Sequence, residues 1–139
     1  MGRNAIEGRS LPDSEKITIN LGYVDLGQID LLVKEGFYSN RTDLIRTAIR
    51  NQLERHAQPL QRSIQRQSAD LGLRTYSRDE LQTAQAHGVM IDICVVGLAA
   101  IAADVPPELA RSTIRSVRVL GAFHATPQIK AALADRIRS

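Results

Sequence analysis

Glu15-Lys16-Ile17-Thr18-Ile19-Asn20-Leu21 sets what the N-terminal part of this chain can become. Apolar Ile17, Ile19 and Leu21 alternate with polar Lys16, Thr18 and Asn20. That is the two-residue period of a strand with one buried face. Gly22 interrupts it. From Val24 to Glu35, Leu26, Ile29, Leu32 and Val33 recur at helical spacing and predict a first helix, with Gly36 placed for a left-handed residue just past its end. Asn40 is placed to cap a second helix, with Asp43 in its first turn. Leu44, Ile45, Ala48, Ile49 and Leu53 share one face of that helix, which runs to about His56, before Pro59.

One strand and two short helices do not make a closed core. The strand has two unpaired edges, and its apolar face exceeds what two helices can cover. A twofold partner solves both problems: two copies of the strand pair antiparallel into a ribbon, and four helices close over its inner face in an isologous, obligate interface. The expected dimer core is Ile17, Ile19, Leu21, Leu26, Ile29, Leu32, Val33, Leu44, Ile45, Ala48, Ile49 and Leu53. The outer face then shows Lys16, Thr18 and Asn20 twice. A two-stranded ribbon fits the major groove of B-DNA, where Lys donates to guanine, Asn pairs with adenine, and Thr bonds a base edge or packs on a thymine methyl. Free N–H groups at the start of the second helix suit a phosphate, with Asn40, Arg41 and Thr42 beside it.

These residues resemble the ribbon-helix-helix DNA-binding proteins of the CopG, Arc and MetJ type. The likeness covers about residues 15–55. It rests on the strand Lys16 to Leu21, on Ile29-Asp30-Leu31-Leu32-Val33, and on Gly36-Phe37-Tyr38-Ser39-Asn40-Arg41-Thr42-Asp43-Leu44-Ile45-Arg46. The last is similar, in order, to the family's Gly-x-Tyr-x-Ser/Asn-Arg-Ser/Thr-Glu/Asp-x-Ile-Arg turn. Gly22 stands where many members have Pro or Asp, and Asp25 where an aliphatic residue is common; both bear on the start of the first helix and not on the DNA face. The resemblance implies an intertwined dimer that reads an operator with its ribbon and usually represses transcription.

The rest of the chain bounds this reading. Its 139 residues are 43% apolar and 24% charged, which excludes wholesale disorder, and its five aromatics with no Trp call for an aliphatic core. A single Cys excludes an internal disulfide framework and fits a reducing compartment. The apolar run Val89 to Ala103 contains Asp92 and is too short to span a bilayer comfortably, so no membrane partner is expected. Residues 1–16 lack the apolar stretch of a secretory signal, and the expected compartment is the cytoplasm. The net charge of +3 is weak evidence by itself. Residues 1–58 carry eight basic and eight acidic side chains, and residues 59–139 carry ten against seven, so a DNA reading rests on local placement.

The organisation expected is α+β. Residues 1–14 read as a disordered arm, and Ile6-Glu7-Gly8-Arg9 matches a protease-cleavage sequence common in expression vectors, so this end is left out of the fold reading. Residues 15–57 form the ribbon-helix-helix domain. Residues 58–79, rich in Gln and Arg, read as a linker that is partly helical at most. Residues 80–139 read as a small C-terminal α/β domain for oligomerisation or regulation. In it, a helix ends near Gly88 and one or two buried strands occupy Val89 to Ile101. A helix opens at Pro106-Pro107, a strand spans Ser116 to Ala125, and Thr126-Pro127 starts a last helix through Ile137. Cys94-Val95-Val96-Gly97-Leu98 and Arg118-Val119-Leu120-Gly121-Ala122 form a faint two-copy repeat, 24 residues apart, short of a solenoid.

Three roles compete for that C-terminal domain. His87 and Cys94, with His124 and His56, supply soft or borderline metal ligands, but the His-x-His of nickel-responsive relatives is absent, and one Cys in an apolar run reads as core. A metal- or ligand-responsive regulator is therefore a second alternative, and no metal or cofactor is assigned. An antitoxin that also controls its own operon is the first alternative, although residues 89–139 are too apolar and strand-like for the usual disordered tail. Self-association is favoured: apolar strands with Gly97, Ala99, Ala100, Ala102 and Ala103 suit tight packing, and dimers joined into tetramers would bind repeated half-sites cooperatively. On a helix, Arg111, Arg115 and Arg118 would form one basic stripe, read as a solvated face. An enzyme is not expected: there is no Gly-rich phosphate loop, Gly-x-Ser-x-Gly elbow or His-Glu-x-x-His.

Overall fold

The computed structural model describes residues 14–138, so the arm expected over residues 1–14 lies almost wholly outside the described residues. The chain divides into two units, residues 14–62 and residues 63–138. It is mixed helix and strand, as the α+β expectation has it.

The first unit holds α1 (Tyr23–Lys34), α2 (Arg41–Arg55) and the start of α3 (Ala57–Gln67). Helix α1 ends as its sequence predicts. Gly36 takes φ +89°, its N–H reaches the Val33 carbonyl at 3.1 Å, and the Phe37 N–H reaches the Leu32 carbonyl at 3.0 Å. That pair of bonds is a Schellman motif, and it turns the chain into α2 within a few residues. Residues 14–22 differ from expectation. They form neither a helix nor a paired strand, because strand pairing needs a neighbour and the described residues of this unit supply none.

The second unit opens with another difference. The stretch 58–79 is no plain connector: it carries most of α3 and the strand β1 (Asp70–Tyr76). There follow α4 (Arg78–Ala86), β2 (Ile91–Ile101), α5 (Pro107–Thr113), β3 (Ile114–His124), α6 (Pro127–Ala132), a 3-10 turn at Ala134–Arg136 and β4 (Ile137–Arg138). The last helix is therefore shorter than the sequence suggests, and Val89 to Ile101 gives one strand, not two. The four strands are parallel and lie in chain order, β1-β2-β3-β4. Arg115 and Arg118 stand on β3 while Arg111 is on α5, so the three make no helical stripe.

One face of this sheet carries the core. Ile93, Val95, Ala99 and Ile101 of β2 and Val117 of β3 alternate inward and pack with Leu81 of α4, Leu109 and Ala110 of α5, and Ile129 and Leu133 of α6. Helix starts are capped locally: Ser77 and Thr126 each accept from the N–H three residues on, at 3.1 and 3.2 Å.

The 24-residue repeat becomes a pairing. Cys94 to Leu98 lies beside Arg118 to Ala122, residue for residue, and Leu71-Gly72-Leu73 of β1 adds a third copy beside Val96-Gly97-Leu98. Gly72, Gly97 and Gly121 thus form a row across three strands, with φ of +121°, +139° and +121°. A Cβ on Gly97 would meet the Gly72 carbonyl oxygen at 2.2 Å, and one on Gly121 would meet the Gly97 carbonyl oxygen at 2.0 Å. Both the φ values and the close approach exclude a side chain there.

Candidate nucleic-acid interface

The candidate site lies in the first unit, on the segment 14–22 and the corner between α1 and α2. Lys16, Thr18 and Asn20 are all exposed. So are the apolar side chains that alternate with them: Ile17 is 72% and Ile19 58% exposed, with Leu21 partly covered.

The corner is built tightly from side chains close in sequence. Asn40 caps α2, its Oδ1 accepting the Asp43 N–H at 2.8 Å. Asp43 answers by accepting the Ser39 N–H at 3.0 Å. Together they fix the entry into α2 and leave the N–H groups of Arg41 and Thr42 at the positive end of a 15-residue helix. Arg41 reaches back to α1: its Nε and Nη2 each donate to Asp30, at 2.8 Å. The bidentate bond draws the Asp30 carboxyl below its usual range. Asp30 is the residue here that sequence reasoning missed. It stands eleven positions from its partner, across a turn, where no local periodicity links them.

The remaining expected residues lie on α1, α2 and the segment before them, and none of them is buried. Leu26, Ile29, Leu32, Val33, Leu44 and Ile45 are half-covered, while Ala48, Ile49 and Leu53 are exposed. Among residues 14–62 no side chain is fully buried. A unit of this size whose helix ends are so carefully capped has, in one chain, no core.

Three of the four residues weighed as metal ligands make contacts of their own. His56 Nδ1 bonds the Gln52 carbonyl at 3.0 Å, His87 Nδ1 the Thr83 carbonyl at 2.8 Å, and Cys94 Sγ lies 3.7 Å from the Gln67 carbonyl. Among the described residues no three His, Cys, Asp or Glu side chains converge as a metal site would need. Nor, among them, is any helix long and apolar enough to cross a membrane.

No curated protein and no solved structure is significantly similar to the chain. A family match, however, runs over residues 12–130, from just before the alternating segment into α6, and so reaches into both units. It extends the likeness visible in residues 15–55 across most of the chain. By that match, the chain belongs to the ribbon-helix-helix transcriptional regulator family.

Proposed function

We propose that this protein is a sequence-specific DNA-binding repressor that works as a homodimer. Two copies of residues 15–21 pair antiparallel into a ribbon, and the ribbon enters the major groove of an operator. One observation carries this reading: residues 14–62 have a well-made helical corner but no buried side chain, and an alternating segment with no strand partner. A second copy supplies both what the segment must pair with and what Ile17, Ile19, Leu21, Leu26, Ile29, Leu32, Val33, Leu44, Ile45, Ala48, Ile49 and Leu53 must pack against. Apolar burial at ~25 cal/mol per Å² drives that assembly.

In the dimer, Lys16, Thr18 and Asn20 face outward and read base edges. Asn40, Arg41 and Thr42 hold the phosphate backbone. The two free N–H groups at the start of α2 point at a phosphate oxygen. Arg41 serves both partners at once, because a guanidinium has five N–H donors and Asp30 takes two of them. The DNA-reading domain is residues 15–57, the protein works in the cytoplasm, and residues 80–139 join or regulate the dimers.

Selection from a pool of randomised duplexes tests the proposal. The wild type enriches a twofold-related motif. Asn20→Ala loses ~1–3 kcal/mol of specific binding and relaxes the preference at one base pair of each half-site. An enriched motif unchanged by Asn20→Ala refutes readout by the ribbon.

A further inference from the structure

The helices of the second unit cover one face of its sheet, and among the described residues the other is covered only at one margin, where the end of α3 meets Cys94. Leu71 and Leu73 of β1, Val96 and Leu98 of β2, and Leu120 and Ala122 of β3 share it by alternation and register. Leu71 is 73%, Leu73 68% and Leu120 58% exposed, with the others half-buried by their neighbours. A parallel sheet is normally covered on both faces, and its strands are apolar on both for that reason. Among the described residues the second cover is missing over most of this sheet.

We infer that this bare face is an interface, and that its occupant is the same face of a second copy of the unit. Three observations choose that occupant. First, the middle of the face is wholly aliphatic, with charge at the margin, at Arg118, Arg138 and the Asp92–Arg115 pair. A matching partner is therefore aliphatic at its centre and charged at its rim, which this face itself is. Second, the size fits. Three strands ~4.8 Å apart and 7 to 11 residues long give on the order of 400 Å² in projection. Two such faces remove roughly 800 Å², below what a stable free-standing dimer needs and right for a contact assisted by another. Third, the surface is not flat. A cleft of about 340 Å³, lined by Gln67, Cys94, Val95, Val96, Arg118 and Leu120, opens onto it and offers a recess for a projecting leucine.

Two identical sheets stacked in this way sit ~10 Å apart about a twofold axis. The contact goes beyond the ribbon dimer and does not require it. Where the ribbon also forms, it ties copies together and raises the effective concentration of this weaker contact.

The experiment uses the full chain and keeps the two interfaces apart. Ile17→Asp/Ile19→Asp removes the proposed ribbon, and Leu73→Glu/Leu120→Glu removes the sheet contact at positions whose exposure leaves the fold intact, as far-UV circular dichroism checks. By sedimentation at up to on the order of 100 µM, the ribbon variant self-associates weakly and reversibly, its mean mass rising with concentration, and the chain with all four substitutions stays a monomer throughout. Cys94 lies on the same face, so in the otherwise unaltered chain its reaction with a thiol reagent speeds up at least about tenfold in Leu73→Glu/Leu120→Glu. A ribbon variant whose mean mass does not rise with concentration, or Cys94 reacting equally fast with and without the sheet substitutions, overturns the inference. Either result leaves the ribbon reading standing, since that is judged by the selected DNA motif.

Discussion

Gly97→Ala strikes the second unit at a row where three strands meet backbone to backbone. Two costs add. At φ +139° an L-residue sits in a region almost reserved for glycine, at about 1–3 kcal/mol. The new Cβ would also lie 2.2 Å from the Gly72 carbonyl oxygen, more than an ångström inside an ordinary contact. That oxygen belongs to a strand backbone and cannot swing away, so β1 and β2 must part locally. One or two ladder bonds weaken, at roughly 0.5–1.5 kcal/mol each. The sum is about 1.5–6 kcal/mol, a large share of the roughly 5–15 kcal/mol that holds a domain together. For a unit of this size it lowers the melting temperature by at least ~6 °C. Thermal and urea denaturation followed by circular dichroism measure the loss, and hydrogen exchange at the β1 and β2 amides locates it. Gly27→Ala is the matched control: a helix-interior glycine, with ordinary φ and nothing within 4 Å of the added methyl, which gains up to ~1 kcal/mol. If Gly97→Ala costs less than about 1 kcal/mol, or no more than Gly27→Ala, the glycine row is not what sets the register.

Three other outcomes follow from single contacts. Arg41→Ala weakens DNA binding evenly across sequences and lowers the slope of log affinity against log salt by about one, and an unaltered slope rejects its phosphate role. Asp92 accepts bonds from Arg115 and Ser116, which hold its carboxyl down to about 2, below the usual 3.8 of an aspartate. Because the folded value is depressed, its stabilising effect is complete above the unfolded value and disappears as pH falls through the folded one. The urea midpoint therefore drops between about pH 4 and pH 2, and Asp92→Asn drops less over that window; equal slopes count against the pair. Ser68 closes α3 at φ +53°, with Schellman bonds from Ser68 N–H to Gln65 and from Ala69 N–H to Ile64. Ser68→Gly therefore raises stability by ~0.5–1 kcal/mol, read from the same melts, and a loss shows that its side chain matters more than its backbone.

Features that depend on neighbours a few residues away were legible in the residues alone. Helical periodicity gave α1 and α2, and cap residues gave their ends: Gly36 past α1, Asn40 before α2, Pro107 and Thr126 opening α5 and α6. These rest on hydrogen bonds within one turn, and residue type at one position is enough to specify them. The ordered turn motif from Gly36 to Arg46 likewise carried the family, because its residues act together at one corner. What only the tertiary structure decided is pairing between distant segments. Strand β1 hides in a Gln- and Arg-rich stretch because its aliphatic side chains, Leu71 and Leu73, face the bare side, while Arg74 and Tyr76 turn toward the core. Its signal was a third Gly flanked by aliphatic residues, Leu71-Gly72-Leu73, legible only once Val96-Gly97-Leu98 and Leu120-Gly121-Ala122 were laid side by side. The Asp30–Arg41 bond, the glycine row and the uncovered sheet face are all products of register. Register is set by the summed fit of many side chains across strands and turns, and no window of sequence contains both members of such a pair.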